Sequence, residues 1–499
     1  MFMQMDGNGP LHSQLTRALK QALAEGRLGL GGKLPATRTL ARELGMSRNT
    51  VLAAYEQLHA EGYLSGRVGS GSYVMPGLKA SPPRPPEQGR LVPQSEFSRR
   101  SRRYHDHTSM PGGVIEGVRY PFQYGVPLVN TGLTSAWARE LGRAAAYTSP
   151  GYSSSQGLLA LRETVCDYLA RRRGVLVNAQ DVLIVSGTQQ ALALTARVLL
   201  DPGQNAVLEE PHYFALRESL QIHGARVSTA PVDAQGLLVS GLPPSAPRLI
   251  CVTPSHQFPT GVVMSLDRRL QLLEYARLTD SWIFEDDYDG EFRYDVQPLA
   301  ALRALDSRQR VIYVGTFSKA MFPSLRLGYL VMPAALRQDF IDAKWQDDFG
   351  SSAIEQAAMA HFMSTGGFER HLRRTWKTLK ERREVLMEGL ERASRGRLEM
   401  ADSHAGMHVV AWLAKNSQDA CEELIERARS LGLGLYSIAP YYLGKPDRAG
   451  LLFGYCGLSV TEIREALAIF IRCLDDALPV ARSARARLAP ISARPTQPG

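Results

Sequence analysis

Leucines at positions 11, 15, 19 and 23 recur at every fourth residue, which lays one apolar stripe along an amphipathic helix over residues 11–28. Gly26, Gly29, Gly31 and Gly32 end it. A short second helix fits Thr37 to Leu44, opened by Pro35 and closed by Gly45, and a third runs from about Ser47 to Gly62 with Ser47 as its N-cap. The second and third helices meet across a tight Gly45-Met46 turn, which is a helix-turn-helix. Beyond it, Tyr63-Leu64-Ser65 and Gly71-Ser72-Tyr73-Val74 pair as a hairpin around Arg67-Val68-Gly69-Ser70 and add a wing.

From about Arg119 the pattern changes. Helical segments alternate with short β-branched runs at 182–185, 206–208, 249–252, 282–284 and 311–314. Strand alternating with helix predicts an α/β fold with a mostly parallel sheet covered on both faces. Between these regions, residues 77–118 carry Pro82, Pro83, Pro85 and Pro86, several serines and the cluster Arg99, Arg100, Arg102 and Arg103. That stretch reads as a semi-stiff linker whose arginines are solvated or touch phosphates or a neighbouring domain. The last residues, 480–499, are rich in Ala, Arg and Pro without a core-forming pattern and read as disordered. The expected organisation is thus a DNA-reading unit over 1–76, a linker over 77–118, a body over 119–479 and a tail.

A length of 499 residues exceeds one ordinary core and agrees with several domains. The net charge of +9 is unevenly placed: residues 1–104 hold fifteen Lys and Arg against seven Asp and Glu, and the tail adds four arginines with no acid, which leaves the middle at −3. A basic head on a near-neutral body points to nucleic acid, although a solubilising surface explains the charge equally well. The five cysteines are scattered without any Cys-x-x-Cys pair, so they read as free thiols of a reducing cytoplasm, and no metal site is expected. No apolar stretch approaches the roughly 20 residues that span a bilayer, and no signal core opens the chain.

Two sets of residues carry chemistry. In a winged helix the second helix of the turn enters the major groove. Its first residues, Ser47, Arg48, Asn49 and Thr50, would then face base edges, while Arg38, Arg42 and the wing glycines Gly69 and Gly71 approach phosphates. In the body, Lys319 follows Gly315-Thr316-Phe317-Ser318 after the run Val311-Ile312-Tyr313-Val314, and Arg326 comes seven residues later. A lysine amine at a strand end beside hydroxyls and an arginine can form an imine with an aldehyde while its neighbours bind a phosphate, so this arrangement can anchor pyridoxal 5'-phosphate. Ser186-Gly187-Thr188-Gln189 lies between a strand and a helix, where backbone N–H groups at a positive helix end meet a phosphate. Asp286, after Trp282-Ile283-Phe284-Glu285, can hold a pyridine nitrogen protonated, and Tyr288 projects to the same side.

Positions 33–74 resemble the GntR-type winged helix. The body resembles the fold-type I aminotransferases over about 350 residues, through several motifs in that family's order. The resemblance implies that Tyr213, after Glu209-Glu210-Pro211-His212, stacks on the pyridine ring, and that Gly187, Thr188, Gln189, Thr316, Ser318 and Arg326 form the phosphate cup. It also implies that Tyr152, in Gly151-Tyr152 before Gly157 and Leu161-Arg162, reaches the neighbouring subunit's phosphate in a homodimer. Head, linker and body in this order are similar to the MocR/GabR family of transcriptional regulators, as are the segments Thr253-Pro254-Ser255-His256-Gln257-Phe258-Pro259-Thr260-Gly261 and Glu285-Asp286-Asp287-Tyr288-Asp289-Gly290-Glu291-Phe292. Transaminases commonly carry an asparagine where Gln257-Phe258 stands here, so turnover is expected to be impaired. The arginine that transaminases use for the substrate carboxylate has only Arg448 as a candidate, upstream of Gly450-Leu451-Leu452-Phe453-Gly454-Tyr455. The resemblance implies a regulator that binds an operator with two half-sites and senses an amino compound, or the cofactor itself, through the imine at Lys319. An active aminotransferase carrying a DNA-binding module, and an inert dimerisation scaffold, remain as alternatives.

Overall fold

Leu15, Leu19 and Leu23 of the leucine stripe lie on the buried face of the first helix, Leu11–Ala24, whereas Leu11 at its start is exposed. The helix stops four residues short of Leu28, because Gly26 adopts φ +70° and turns the chain out of the helical path. The helices Thr37–Leu44 and Arg48–Ala60 pack on it through Leu40, Val51, Ala54, Tyr55 and Leu58. Strands Leu64–Arg67 and Gly71–Val74 pair antiparallel in the register Leu64 to Val74, and Leu64 and Val74 seal the bottom of the same core. The Tyr55 hydroxyl donates to the Pro35 carbonyl at 2.9 Å and ties the third helix to the start of the second.

This computed structural model describes residues 5–67, 71–75, 93–104, 112–243, 245–294, 299–401, 405–414 and 418–478. It divides into two units, Met1–Pro93 and Gln94–Gly499. The wing tip at Gly69, the proline-rich residues 77–92 and the tail 480–499 lie outside the described residues. The stretch expected as linker is not uniform: its residues 94–104 belong to the second unit and contain the helix Glu96–Ser101, capped by Ser95.

Among the described residues the second unit holds an eight-stranded sheet in the order 182–185, 328–331, 311–316, 282–287, 249–252, 205–210, 226–233 and 236–237. The five strands from 311–316 to 226–233 run parallel, whereas Gly328–Val331 is antiparallel to both of its neighbours. Alternate residues serve opposite faces. Leu183 and Val185 pack with helix residues Leu192, Leu216 and Phe340, while Val182 and Ile184 pack with Leu161, Val165, Met359 and Phe362. A long helix, Gly367–Ser394, leads to a second sheet in the order 398–400, 408–413, 450–454 and 436–437, which covers its core with Gln418–Ser430 and Val460–Ala477. All five cysteines are free, four of them buried. No described helix is long and apolar enough to cross a membrane.

Candidate cofactor cavity and nucleic-acid interface

The recognition end of the head is built by a cap. Ser47 stands in extended backbone before helix Arg48–Ala60, its Oγ accepts the Thr50 N–H at 3.1 Å and lies 2.8 Å from Thr50 Oγ1. The two hydroxyls thus satisfy each other and the helix end. Arg48 and Asn49 are exposed in the first turn, and Arg38 and Arg42 are exposed on the preceding helix. Gly71 takes φ +107°, and a Cβ there would come within 3.0 Å of the Lys33 side chain, so the wing strand starts where only glycine fits easily.

In the body, the parallel strands 282–287 and 311–316 run side by side with Asp286 opposite Val314. Their C-terminal ends therefore deliver Asp286 and, just beyond, Thr316, Ser318 and Lys319 into one cavity of about 380 Å³. Gln189, Tyr213, Tyr288 and Arg326 line the same space, as does Thr188 at the start of helix Thr188–Leu199. Gly187 precedes that helix at φ +93°, and a Cβ on it would stand 3.6 Å from the Arg326 guanidinium. The loop can lie this close because Gly328 sits beneath it, where a Cβ would approach the Gly187 Cα to 3.1 Å. Cation and helix N-terminus thus share one end of the cavity, the arrangement that suits a phosphate.

The Lys319 ammonium nitrogen donates to the Gly125 carbonyl at 2.6 Å. Burial pushes its pKa below the ordinary lysine range, against the pull of Asp289 and Asp286. Asp286 accepts from the Thr188 hydroxyl at 3.3 Å, and burial pushes its pKa up to about 7. A cationic ring nitrogen brought beside it would restore the carboxylate. Tyr213 meets Phe258 edge-on with ring centres 5.7 Å apart. The Tyr288 hydroxyl lies 2.9 Å from His256 Nδ1, which is also 2.9 Å from Asp289 Oδ2.

Two sequence candidates are not brought to the cavity. Arg448 is a correction: it pairs with Glu399 and lies over the Trp412 ring at 5.3 Å, so it is not placed to take a substrate carboxylate. Tyr152 is 96% exposed on the protomer, away from the cavity lining. Gln257 is spent on its own loop and on the segment after strand 205–210, donating to the Phe258 and Pro211 carbonyls at 2.7 and 2.8 Å and accepting from Thr260, while Phe258 is the residue that faces the cavity. The sequence reading missed Tyr124, Gly125, Asp289, His408 and Tyr441, which also line it. Asp289 stood within a motif already singled out; the other four carried no local signal.

A helix-turn-helix head on an aminotransferase-fold body with a lysine-centred cavity defines the class. The profile of bacterial regulatory proteins of the gntR family matches residues 11–74, and that of aminotransferase class I and II matches residues 123–435. The chain is 35% identical over 470 residues to the probable rhizopine catabolism regulatory protein MocR of Rhizobium meliloti, covering 94% of each chain. It is 32% identical to the HTH-type pyridoxine biosynthesis transcriptional regulator PdxR of Corynebacterium glutamicum, covering 91% of this chain and 94% of the other. Among solved structures it is similar to LysN, the alpha-aminoadipate aminotransferase of Thermus thermophilus complexed with N-(5'-phosphopyridoxyl)-L-leucine. The TM-score is 0.66 at 25% identity, over 77% of this chain and 98% of the other. The chain belongs to the MocR/GabR family of DNA-binding transcriptional regulators.

Proposed function

We propose that this regulator binds pyridoxal 5'-phosphate covalently at Lys319 and uses the state of that site, set by an amino compound or by cofactor loading itself, to adjust its hold on an operator. The supporting observation is the convergence of Lys319, Asp286, Tyr213 and Arg326 on one cavity in a chain that also carries a GntR head. The residues fit the cofactor. Arg326, which has no acidic partner among the described residues, and the N-terminus of helix Thr188–Leu199 would hold the phosphate, with the Thr316 and Ser318 hydroxyls beside them. Asp286 would hold the ring nitrogen, Tyr213 the ring face, and Tyr288 the ring oxygen. When bound, the cofactor supplies an aldehyde that condenses with amines. Burial lowers the Lys319 pKa and so raises the share of neutral, nucleophilic amine.

A route out of the cavity exists within the body. Tyr213 is the N-cap of helix Phe214–Ile222, and the far end of that helix holds the segment that leads to the head. Arg100 Nε donates to the Ile222 carbonyl at 2.7 Å, Tyr104 bonds Gln221, and Phe97 meets the His223 ring edge-on at 5.8 Å. A shift of Tyr213 therefore moves the anchor of the connecting chain, and a ligand that favours one position biases the DNA-competent population. A cytoplasmic homodimer with two heads would read two half-sites, and exposed Tyr152 would serve the partner's phosphate. The test is borohydride reduction followed by peptide mass spectrometry, with gel shifts on the protein's own upstream DNA. A pyridoxyl mass on Lys319 and cofactor-dependent shifts are expected; a Lys319→Ala protein with unaltered cofactor absorbance and unaltered DNA response would overturn the reading.

A further inference from the structure

Beyond the groups assigned to the cofactor, one more acidic or basic side chain other than histidine lines the cavity among the described residues, and it is an acid, Asp289, whose Oδ2 lies 2.9 Å from His256 Nδ1. The cavity's arginine, Arg326, stands at the phosphate end, 3.6 Å from where a Gly187 Cβ would be. Arg448 is outside and paired with Glu399. His408 does not replace them: its Nε2 donates to the Pro259 carbonyl at 2.9 Å, and burial together with His256 pushes its pKa down to about 4, so it is neutral at pH 7. The remaining lining includes Gln123, Thr253 and Met407 and an aromatic group. Phe258 has its ring centre 5.1 Å from Tyr441 and 6.1 Å from Tyr124, and the Tyr124 and Tyr441 hydroxyls bond each other.

A carboxylate entering this space would lose its hydration beside Asp289 and, with Lys319 and Arg326 engaged at the cofactor, would meet no further lysine or arginine among the described lining residues, an arrangement that is unfavourable in a low-dielectric site. A cation meets the reverse: an acid and aromatic rings, whose electron-rich faces attract positive charge. Taking the cofactor reading as given, we propose that the effector is an amine without a carboxylate whose far end is cationic, received by Asp289 and the aromatic wall formed by Phe258, Tyr124 and Tyr441. One amine reacts at the cofactor and the other end reads Asp289. The specificity-determining residue is then an acid rather than the arginine that a carboxylate-bearing substrate demands.

The test titrates full-length, cofactor-loaded protein by calorimetry with three probes of matched length: 1,4-diaminobutane, 4-amino-1-butanol and 4-aminobutanoate. The diamine is expected to bind at least about tenfold more tightly than 4-aminobutanoate, with the alcohol between them. In Asp289→Asn the advantage of the diamine over the alcohol should vanish, and the wild-type ranking decides the case if that variant does not fold. Equal or tighter binding of 4-aminobutanoate, no heat with the diamine, or an unchanged ranking in a folded Asp289→Asn protein overturns the inference. Reduced samples separate the two layers. No pyridoxyl mass on Lys319 brings down the cofactor reading and this inference with it, whereas an adduct combined with a preference for the carboxylate brings down this inference alone.

Discussion

Removing the carboxylate of Asp287 should destabilise the body severely while leaving its neighbour Asp286 in sequence. Asp287 ends the strand that delivers Asp286, and its Oδ2 lies 2.6 Å from Arg173 Nε, with the two side chains 4% and 3% exposed. The Tyr313 hydroxyl donates to the same carboxylate. At that separation and an effective dielectric of about 20, the attraction is about 6 kcal/mol, much of it offset by the desolvation of both ions. Asp287→Ala removes the attraction but keeps the cost of a buried guanidinium, which cannot discharge by losing its proton. The expected loss is therefore about 3–5 kcal/mol, and about 1.5–3 kcal/mol for Asp287→Asn, which keeps a neutral acceptor. The assay is urea unfolding of the full-length protein at pH 7, followed by circular dichroism, with the body's transition compared across variants. The paired change Arg173→Met with Asp287→Leu should recover most of the loss, because it removes both charges together. A single Asp287→Ala variant within about 1 kcal/mol of wild type would refute the view that this pair pins the strand.

In the head, Arg48→Ala should cost about 1–3 kcal/mol of operator affinity and relax discrimination at one base position; Arg38→Ala should weaken all sequences alike and lower the salt slope by about one. Fluorescence anisotropy across salt and sequence separates the two, and unchanged discrimination in Arg48→Ala would remove it from base reading. Gly187→Ala forces a Cβ onto φ +93° and toward Arg326, so cofactor affinity should fall by about tenfold with the fold intact by circular dichroism; an unchanged dissociation constant would count against the phosphate cup. Burial pushes Asp286, Glu209 and Glu291 up to about 7, so the folded protein binds more protons than the unfolded one below that value. Their stabilising contribution is full at low pH and is lost as pH rises through about 7. Above pH 6.5, where His212 and His408, both pushed down to about 4, no longer compete, the cofactor-free melting temperature should fall toward pH 8, and a rise would contradict the assignment. Arg100→Ala combined with Tyr104→Phe removes the hold of the connecting segment on helix Phe214–Ile222. Operator affinity should then respond less to cofactor or effector, and a full response in gel shifts would rule out this route.

What the sequence displayed and what it concealed divides along the range of the contacts. The head was legible because its core is written in local periodicity: Leu15, Leu19 and Leu23 of the stripe are buried, Ser47 caps the third helix, and Gly45, expected only to close the second helix, does so in left-handed backbone. The strands of the body were drawn too short. Runs read as 206–208 and 282–284 extend to Glu210 and Asp287 because their acids are buried, with Glu209 accepting from Thr253 and Glu285 from the Leu302 and Arg303 backbone at 2.7 and 2.8 Å. Hydrophobic alternation does not register a buried carboxylate whose donors come from another segment. The cavity was half visible for the same reason. Asp286, Lys319 and Arg326 declare themselves by position after strands, but Lys319 leans on the carbonyl of Gly125, 194 residues away, and Arg100 on the carbonyl of Ile222, 122 residues away. A main-chain acceptor has no side chain to recognise, so the sequence left the arginines of the connecting segment open between solvent, phosphates and a neighbouring domain, and did not single out Arg100 as the anchor. The far wall, Tyr124, His408 and Tyr441, comes from elements outside the run of strands that the pattern picked out, and these residues meet the reactive lysine only through the tertiary fold. The chemistry at the lysine could therefore be read from the chain, whereas the selection among amines rests on a wall that only the folded structure assembles.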